Sequence, residues 1–446
     1  MPDCCKMLSA MQLKYLFCFF LLFFVAVGNN PGFAQQGSSK GKSAYLRLHD
    51  LLAEKDYFRL ERQLYLLRQQ IKRGQWLYFQ AYLDNAFNRN QAAVQHIDSL
   101  FDNFSAELED TLKVEMLLLK TDSYFKLFQY AKAAETDNML LTTYRRLLES
   151  SRAEDIENKF IIHNGLKDVQ PQQTYIRGNT ELRWKRNKIG IVEIPLSRDS
   201  IRYDAIFDTR ANISAITQTY ATKLRLKILP VSYYEGSGIT GLRFKTSLAV
   251  ADSLYLGDIL VRHAVFQVVP DTVLYIAPVD FQMNIIIGFP IIAQLHEIHF
   301  YQDGKMKIPV NGTAAALRNM ALDGLNPVLL LKTTQGDILP FAFDFGAGRS
   351  MLFAAYFQKY RGAVLAHGVK TTTEYGGAGG TQQKEVLTLP YIDLLLDKKK
   401  VRLDSIDVLS QKIYPSETFY GNIGQDFIKL FSELTINFDD MYIKGR

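Results

Sequence analysis

The feature that most constrains this chain is a duplication inside it. Phe207-Asp208-Thr209-Arg210-Ala211 is followed by Ser214-Ala215-Ile216, and Phe343-Asp344-Phe345-Gly346-Ala347 is followed by Ser350-Met351-Leu352. Each reads as an apolar strand ending in an Asp, then a tight loop, then a Ser before an apolar position. Other landmarks recur at the same offset of 136 residues: Ile286-Ile287-Gly288 with Asn422-Ile423-Gly424, Glu297-Ile298-His299-Phe300 with Glu433-Leu434-Thr435-Ile436, and Asp303 with Asp439. Matched positions at one offset mean two copies of one structural unit.

The flanking pattern is that of β-structure. In the first copy, Lys188 to Pro195 reads as a strand, Ser197 to Ser200 as a turn, and Ile201 to Phe207 as the strand that delivers Asp208. In the second, Asn326 to Lys332, a Gln335-Gly336-Asp337 turn and Ile338 to Phe343 deliver Asp344. The period of two marks half-buried strands and the Gly-containing breaks mark turns. A short amphipathic segment follows each Asp loop, over 218–226 and 354–360. Gly-rich hairpin tips come next in both copies, Gly236-Ser237-Gly238-Ile239-Thr240-Gly241 after Tyr233-Tyr234, and Tyr375-Gly376-Gly377-Ala378-Gly379-Gly380. Residues 311–324 join the copies.

Two Asp loops and two later Gly turns, in this order and register, resemble the retropepsin-like and pepsin-like aspartic peptidases. The resemblance covers roughly the last 270 residues. It implies an all-β, two-lobed aspartic-peptidase-like (acid protease) domain, with lobes at 176–310 and 311–446. Asp208 and Asp344 would be the catalytic pair. Thr209, Arg210, Ala211, Phe345, Gly346 and Ala347 would support the two loops, with Gly288 and Gly424 in the turns behind them. Tyr234, Gly236, Gly238, Gly241, Tyr375, Gly376 and Gly377 would lie on flaps that close over a peptide or protein substrate; the competing reading of these tips is ordinary hairpin turns. Two facing carboxylates share a proton. The charged one takes a proton from water while the neutral one hydrogen-bonds the peptide carbonyl.

Two departures from the family pattern bear on activity. Arg210 stands where the family has Gly, and Phe345 where it has Thr or Ser. A guanidinium close to the pair would favour the doubly ionised state and lower both pKa values. Turned outward it would do nothing, and it could instead bind an acidic ligand. Phe345 lacks the hydroxyl that would complete a cross-loop brace, so that brace is at best half made. The residues therefore leave two readings open, an aspartic endopeptidase and a catalytically inactive relative that binds peptides or envelope partners. A third reading is an interaction scaffold whose working part is the helical region.

Upstream, the period changes. Residues 43–150 carry apolar stripes at spacings of three and four, such as Tyr57, Leu60, Leu64, Leu67 and Ile71, and then Ala93, Ile97, Leu100 and Phe104. Ala81 and Ala93 lie as far apart as Thr121 and Ala133, and the two pairs are offset by 40. This spacing resembles tetratricopeptide repeats, without their Pro and Trp signatures. It predicts an all-α, helical-repeat-like domain, either a groove for a protein partner or a plain bundle packed on the β-region. The polar stretch 151–175 reads as a linker, as does 35–42.

The N-terminus predicts export. Lys6 and Lys14 give a basic start before an apolar run from Tyr15 to Val27, too short for the ~20 residues of a membrane span, and Gly32-Phe33-Ala34 offers a cleavage site after Ala34. Residues 1–34 are then a signal peptide and the mature chain is periplasmic or extracellular; an uncleaved membrane anchor is the alternative. All three cysteines lie in this segment, so the rest of the chain has no thiol chemistry or disulfide. A net charge of +6 over 446 residues suggests no nucleic-acid surface.

No cofactor or metal is assigned. Gly236 to Gly241 matches a dinucleotide-binding pattern, but a strand rather than a helix follows. Asp344-Phe345-Gly346 spells a kinase motif without that motif's partners. His296-Glu297-Ile298-His299 falls one residue short of a zinc helix and lies where a strand is expected, so its two His side chains would face opposite ways. Lys398 to Lys400 reads as a solvated hairpin tip.

Overall fold

In the computed structural model, residues 15–17 and 39–446 are described, apart from 237–242, 316, 378–379 and 414–416. The expected signal segment, except for Tyr15–Phe17, lies outside the described residues. So do the tip glycines Gly238 and Gly241.

A helical region comes first and a β-rich region with several sheets follows. The helices are α1 (Ser39–Ala53), α2 (Tyr57–Leu66), α3 (Arg73–Ala86), α4 (Asn90–Phe104), α5 (Asp110–Lys126), α6 (Tyr130–Thr143) and α7 (Ser150–Leu166). Three hairpins close with the same turn. Lys55, Asn88 and Phe128 each take a left-handed conformation, and the next residue's N–H bonds back to Leu51, Asp84 and Tyr124 respectively. The small residues expected at the helix crossings are buried there: Ala81, Ala93, Thr121 and Ala133.

The linker expected over 151–175 is mostly α7, and the one expected over 35–42 already contains the start of α1. The apolar stripe of α7, Ala153, Ile156, Ile162 and Leu166, is interrupted by Lys159 and His163. Both are buried nonetheless, and His163 Nδ1 lies 2.6 Å from Asp137. Hydrogen bonding allows a polar residue to occupy a core position, so this helix reads as polar in the sequence.

The two halves of the β-region follow the same path. In the first, strand Ile201–Phe207 lies parallel to Ile285–Ile287, with Ile286 opposite Ile206. In the second, Ile338–Phe343 lies parallel to Gly421–Ile423, with Asn422 opposite Ala342. The long hairpins Lys227–Gly236/Arg243–Leu256 and Val369–Gly377/Gly380–Leu396 occupy equivalent places. The short strand Tyr15–Phe17 runs parallel to Val369–Gly377. The strand expected over Lys188 to Pro195 begins only at Val192 and runs to Arg198; Asn187 to Gly190 is a turn, with Gly190 at positive φ.

A five-stranded sheet joins the halves. At its centre Glu297–Tyr301 pairs antiparallel with Glu433–Asn437, setting Glu297 opposite Asn437 and Ile298 opposite Ile436. The expectation of a strand through His296 is corrected here. His296 precedes the strand in a left-handed conformation and pairs with Asp439, while His299 lies between Glu297 and Glu433.

The helical region rests directly on the β-region. Lys55 pairs with Asp323 at 2.5 Å, Glu61 with Arg318 at 2.7 Å and Glu154 with Arg243 at 2.7 Å. Gly165 of α7 is so close to Val231 that an added Cβ would stand 2.9 Å from its methyl. One apolar core runs through both regions, from Leu48 and Leu60 to Leu325 and Phe438.

Candidate active site

Both Asp loops are built from the same hydrogen bonds. Asp208 N–H donates to Ile287 O at 3.0 Å and Asp344 N–H to Ile423 O at 2.9 Å. Ser214 Oγ accepts from Gly288 N–H, and Ser350 Oγ from Gly424 N–H. Ala211 O and Ala347 O each accept an N–H at 2.8 Å, from Phe289 and Gln425. The glycines are required by close approach. A Cβ on Gly288 would stand 2.4 Å from Ala211 O, and one on Gly424 would stand 2.7 Å from Ala347 O.

These loops bring the carboxylates together. Arg210 N–H donates to Asp208 Oδ1 and Gly346 N–H to Asp344 Oδ1, both at 2.8 Å. Ala211 N–H also reaches Asp208 Oδ1, at 3.2 Å. A Cβ built on Gly346 would lie 2.4 Å from Asp208 Cγ and Oδ2, so the Asp344 loop is pressed against the Asp208 carboxylate. Both Asp side chains are fully buried. Asp208 Oδ2 accepts no hydrogen bond from the described residues.

Burial, and then the charge of Asp344, holds Asp208 well above the usual carboxylate range. Burial pushes Asp344 up to about 6, against the pull of the Arg210 charge and a hydrogen bond from Asn422. The expected pull of Arg210 on both pKa values is present, but it brings neither below the ordinary carboxylate value. It lowers them only relative to what burial alone would give, because desolvation of two carboxylates outweighs one guanidinium.

Nor does Arg210 turn outward. It is the largest of the fully buried side chains. Its Nη1 donates to Asn422 Oδ1 at 3.2 Å and its Nε to Asn326 Oδ1 at 3.4 Å. Asn422 Nδ2 in turn donates to Asp344 Oδ2 at 3.2 Å. In the sequence Asn422 marks only the start of the second Gly turn and Asn326 the start of a strand, with no site role for either. The available signal was a polar residue where the first copy has Ile286, in a turn that is otherwise apolar.

The brace between the loops is half made. Thr209 Oγ1 donates to Phe343 O at 3.0 Å and accepts from Phe345 N–H at 3.1 Å. Phe345 makes no reciprocal bond; its ring packs edge-on against Phe207, Phe300 and Phe343. Gln425 adds a tie by donating to Phe345 O at 2.7 Å, and Arg186 from the first half donates to Gln425 Oε1 at 2.6 Å.

Of the expected flap residues, Tyr375 is buried, and Gly376 and Gly377 continue its strand. Gly236 ends the strand Lys227–Gly236. Tyr234 is 57% exposed while its neighbour Tyr233 is buried. Strand alternation puts adjacent side chains on opposite faces, and the sequence does not say which of the two tyrosines faces inward.

No family model matches the chain, and no curated protein matches it in sequence. Among solved structures, the crystal structure of a retropepsin-like aspartic protease from Rickettsia conorii matches 31% of this chain and 90% of its own, at 14% identity and a TM-score of 0.20.

Proposed function

We propose that this chain is an aspartic-type endopeptidase. Its two β-rich halves would be the two lobes of an aspartic-peptidase-like domain, 176–310 and 311–446, and a signal peptide over 1–34 would direct its export. The observation that carries the reading is the pair of buried carboxylates, Asp208 and Asp344, each held by a loop N–H on one oxygen and pressed together across equivalent loops. Asp344, whose two carboxylate oxygens each accept a hydrogen bond, from Gly346 N–H and from Asn422 Nδ2, is the ionised member and takes a proton from the attacking water. Asp208 keeps its proton and donates it toward the substrate carbonyl. No covalent intermediate forms.

The sign of the pH dependence follows. Asp344 must be ionised, so cleavage rises as pH rises through about 6. Asp208 must be protonated, so cleavage falls again once pH passes its own, higher value. The working range is near neutral rather than strongly acid. The test is cleavage of a peptide library by the full chain between about pH 3 and about pH 8, with Asp208→Asn and Asp344→Asn beside it. Either substitution is expected to abolish cleavage. Cleavage that survives both sinks the reading.

The buried Arg210 favours a second reading, a catalytically inactive relative that binds peptides. Absence of cleavage at every pH, with peptide binding retained, supports it.

A further inference from the structure

The two halves are near-copies, so by themselves they give no reason for one Asp to be the base and the other the acid. Among the buried positions where the symmetry breaks, three meet at one side chain. Arg210 stands where the second half has Gly346, Asn422 where the first has Ile286, and Asn326 where the first has Gly190. These three departures come from both halves and touch one another. Resting on the peptidase reading above, we propose that Arg210 is a positioning residue that makes Asp344 the ionised member of the pair, acting through Asn422, and that the helical region holds it there through Lys55, Asp323 and Asn326.

The chemistry of the donors allows one arrangement. A guanidinium only donates and an ionised carboxylate only accepts. Asn422 lies between them, so its Oδ1 must face Arg210 and its Nδ2 must face Asp344 Oδ2. That orientation points a donor at Asp344 Oδ2, which favours the ionised carboxylate over the protonated one. Arg210 is 2% exposed, and a buried cation needs a counter-charge. Its charge acts on both carboxylates, and on Asp344 it is the largest influence after burial.

The other arm leads outward. Asn326 Oδ1 accepts from Arg210 Nε, and its Nδ2 donates to the Asp323 backbone carbonyl at 3.2 Å. The Asp323 carboxylate meets Lys55 at the α1–α2 turn and Tyr57 in α2. Lys55 is 7% exposed and Tyr57 is buried, so this junction is shielded from water and salt screens it little. Side chains and one backbone carbonyl thus run without a break from the helical region to the carboxylate of Asp344.

The test uses the full chain with Arg210→Met, Arg210→Lys, Asn422→Ile and Lys55→Met. Arg210→Met and Asn422→Ile are each expected to lower kcat about tenfold to a hundredfold, with KM nearly unchanged. They should also move the acidic limb of the pH profile up by about one unit. Arg210→Lys, which keeps the charge, should fall between wild type and Arg210→Met. Lys55→Met should move the limb in the same direction by less.

A second measurement needs no cleavage: Tm against pH for wild type, Asp344→Asn, Arg210→Met and the Arg210→Met/Asp344→Asn double variant. A carboxylate whose folded pKa is raised loses its stabilising contribution as pH rises through that pKa. The Asp344-dependent loss should therefore extend to higher pH, and be larger, without Arg210. Faster cleavage by Arg210→Met, or an Asp344-dependent step at the same pH with and without Arg210, overturns the proposal. If wild type does not cleave while the step still moves, the peptidase reading fails and the positioning role stands.

Discussion

Gly346 and Arg210 hold the same place in the two halves, and their side chains could not be exchanged. At 346 there is no room for a single carbon beside Asp208. At 210 a long cation leaves its loop and ends among asparagines of the other half. The third loop position is thus set by what lies across the pair, not by the local loop geometry, since both backbones donate the same N–H to their own Asp at the same distance. Gly346→Ala tests this directly. The new Cβ must displace a carboxylate held by two N–H groups, and overpacking of this kind costs about 1–3 kcal/mol. Urea denaturation should show that loss and kcat/KM should fall about a hundredfold. Unchanged values of both would mean that the loops are further apart than described here.

At the scale of the element, the two Asp loops are joined by one hydroxyl rather than two. Thr209 reaches the second loop at both Phe343 O and Phe345 N–H. On the other side Phe345 contributes only aromatic packing and its backbone, with Gln425 as an added polar tie. Thr209→Val keeps the shape of the side chain and removes both hydrogen bonds. It leaves a buried N–H and a buried carbonyl without that partner, which should cost about 1–3 kcal/mol. Chemical denaturation measures it, and a loss no larger than that of an exposed Thr→Val control would show that the brace does not hold the loops. The half-made brace was legible in the sequence, because a Phe cannot donate. The Arg186–Gln425 tie was not, since it links residues 239 apart that no local pattern connects.

For the whole molecule, the continuous core predicts how it unfolds. The helical region and both β halves share one apolar cluster, and the ion pairs Lys55–Asp323, Glu61–Arg318 and Glu154–Arg243 cross between them. Because they share one core, neither region can lose its packing without exposing apolar surface of the other, so one transition is expected. The two tryptophans report separately on this, Trp76 in α3 and Trp184 in the β-region. In single-Trp variants, fluorescence from either residue should give the same denaturation midpoint, coincident with the loss of helical circular dichroism. Two separated transitions would show that the helical region is an independent appendage and would remove the physical basis for its link to Asp344.

The duplication, the strand-ending Asp residues and the helical character of the N-terminal region are all legible in the order of the residues. Each rests on local periodicity or on a repeat within the chain, and both survive in one dimension. The sequence also marked Arg210 and Phe345 as departures. Only the tertiary structure decided where Arg210 goes, because a buried cation's partners come from residues more than a hundred positions away. The helix over Ser150–Leu166 was hidden for the same reason: its buried Lys159 and His163 read as solvent-facing until the distant carboxylates around them are in place. The raised pKa of the Asp pair likewise belongs to the folded molecule. Desolvation and the approach of a second carboxylate arise only when both halves close around the same point.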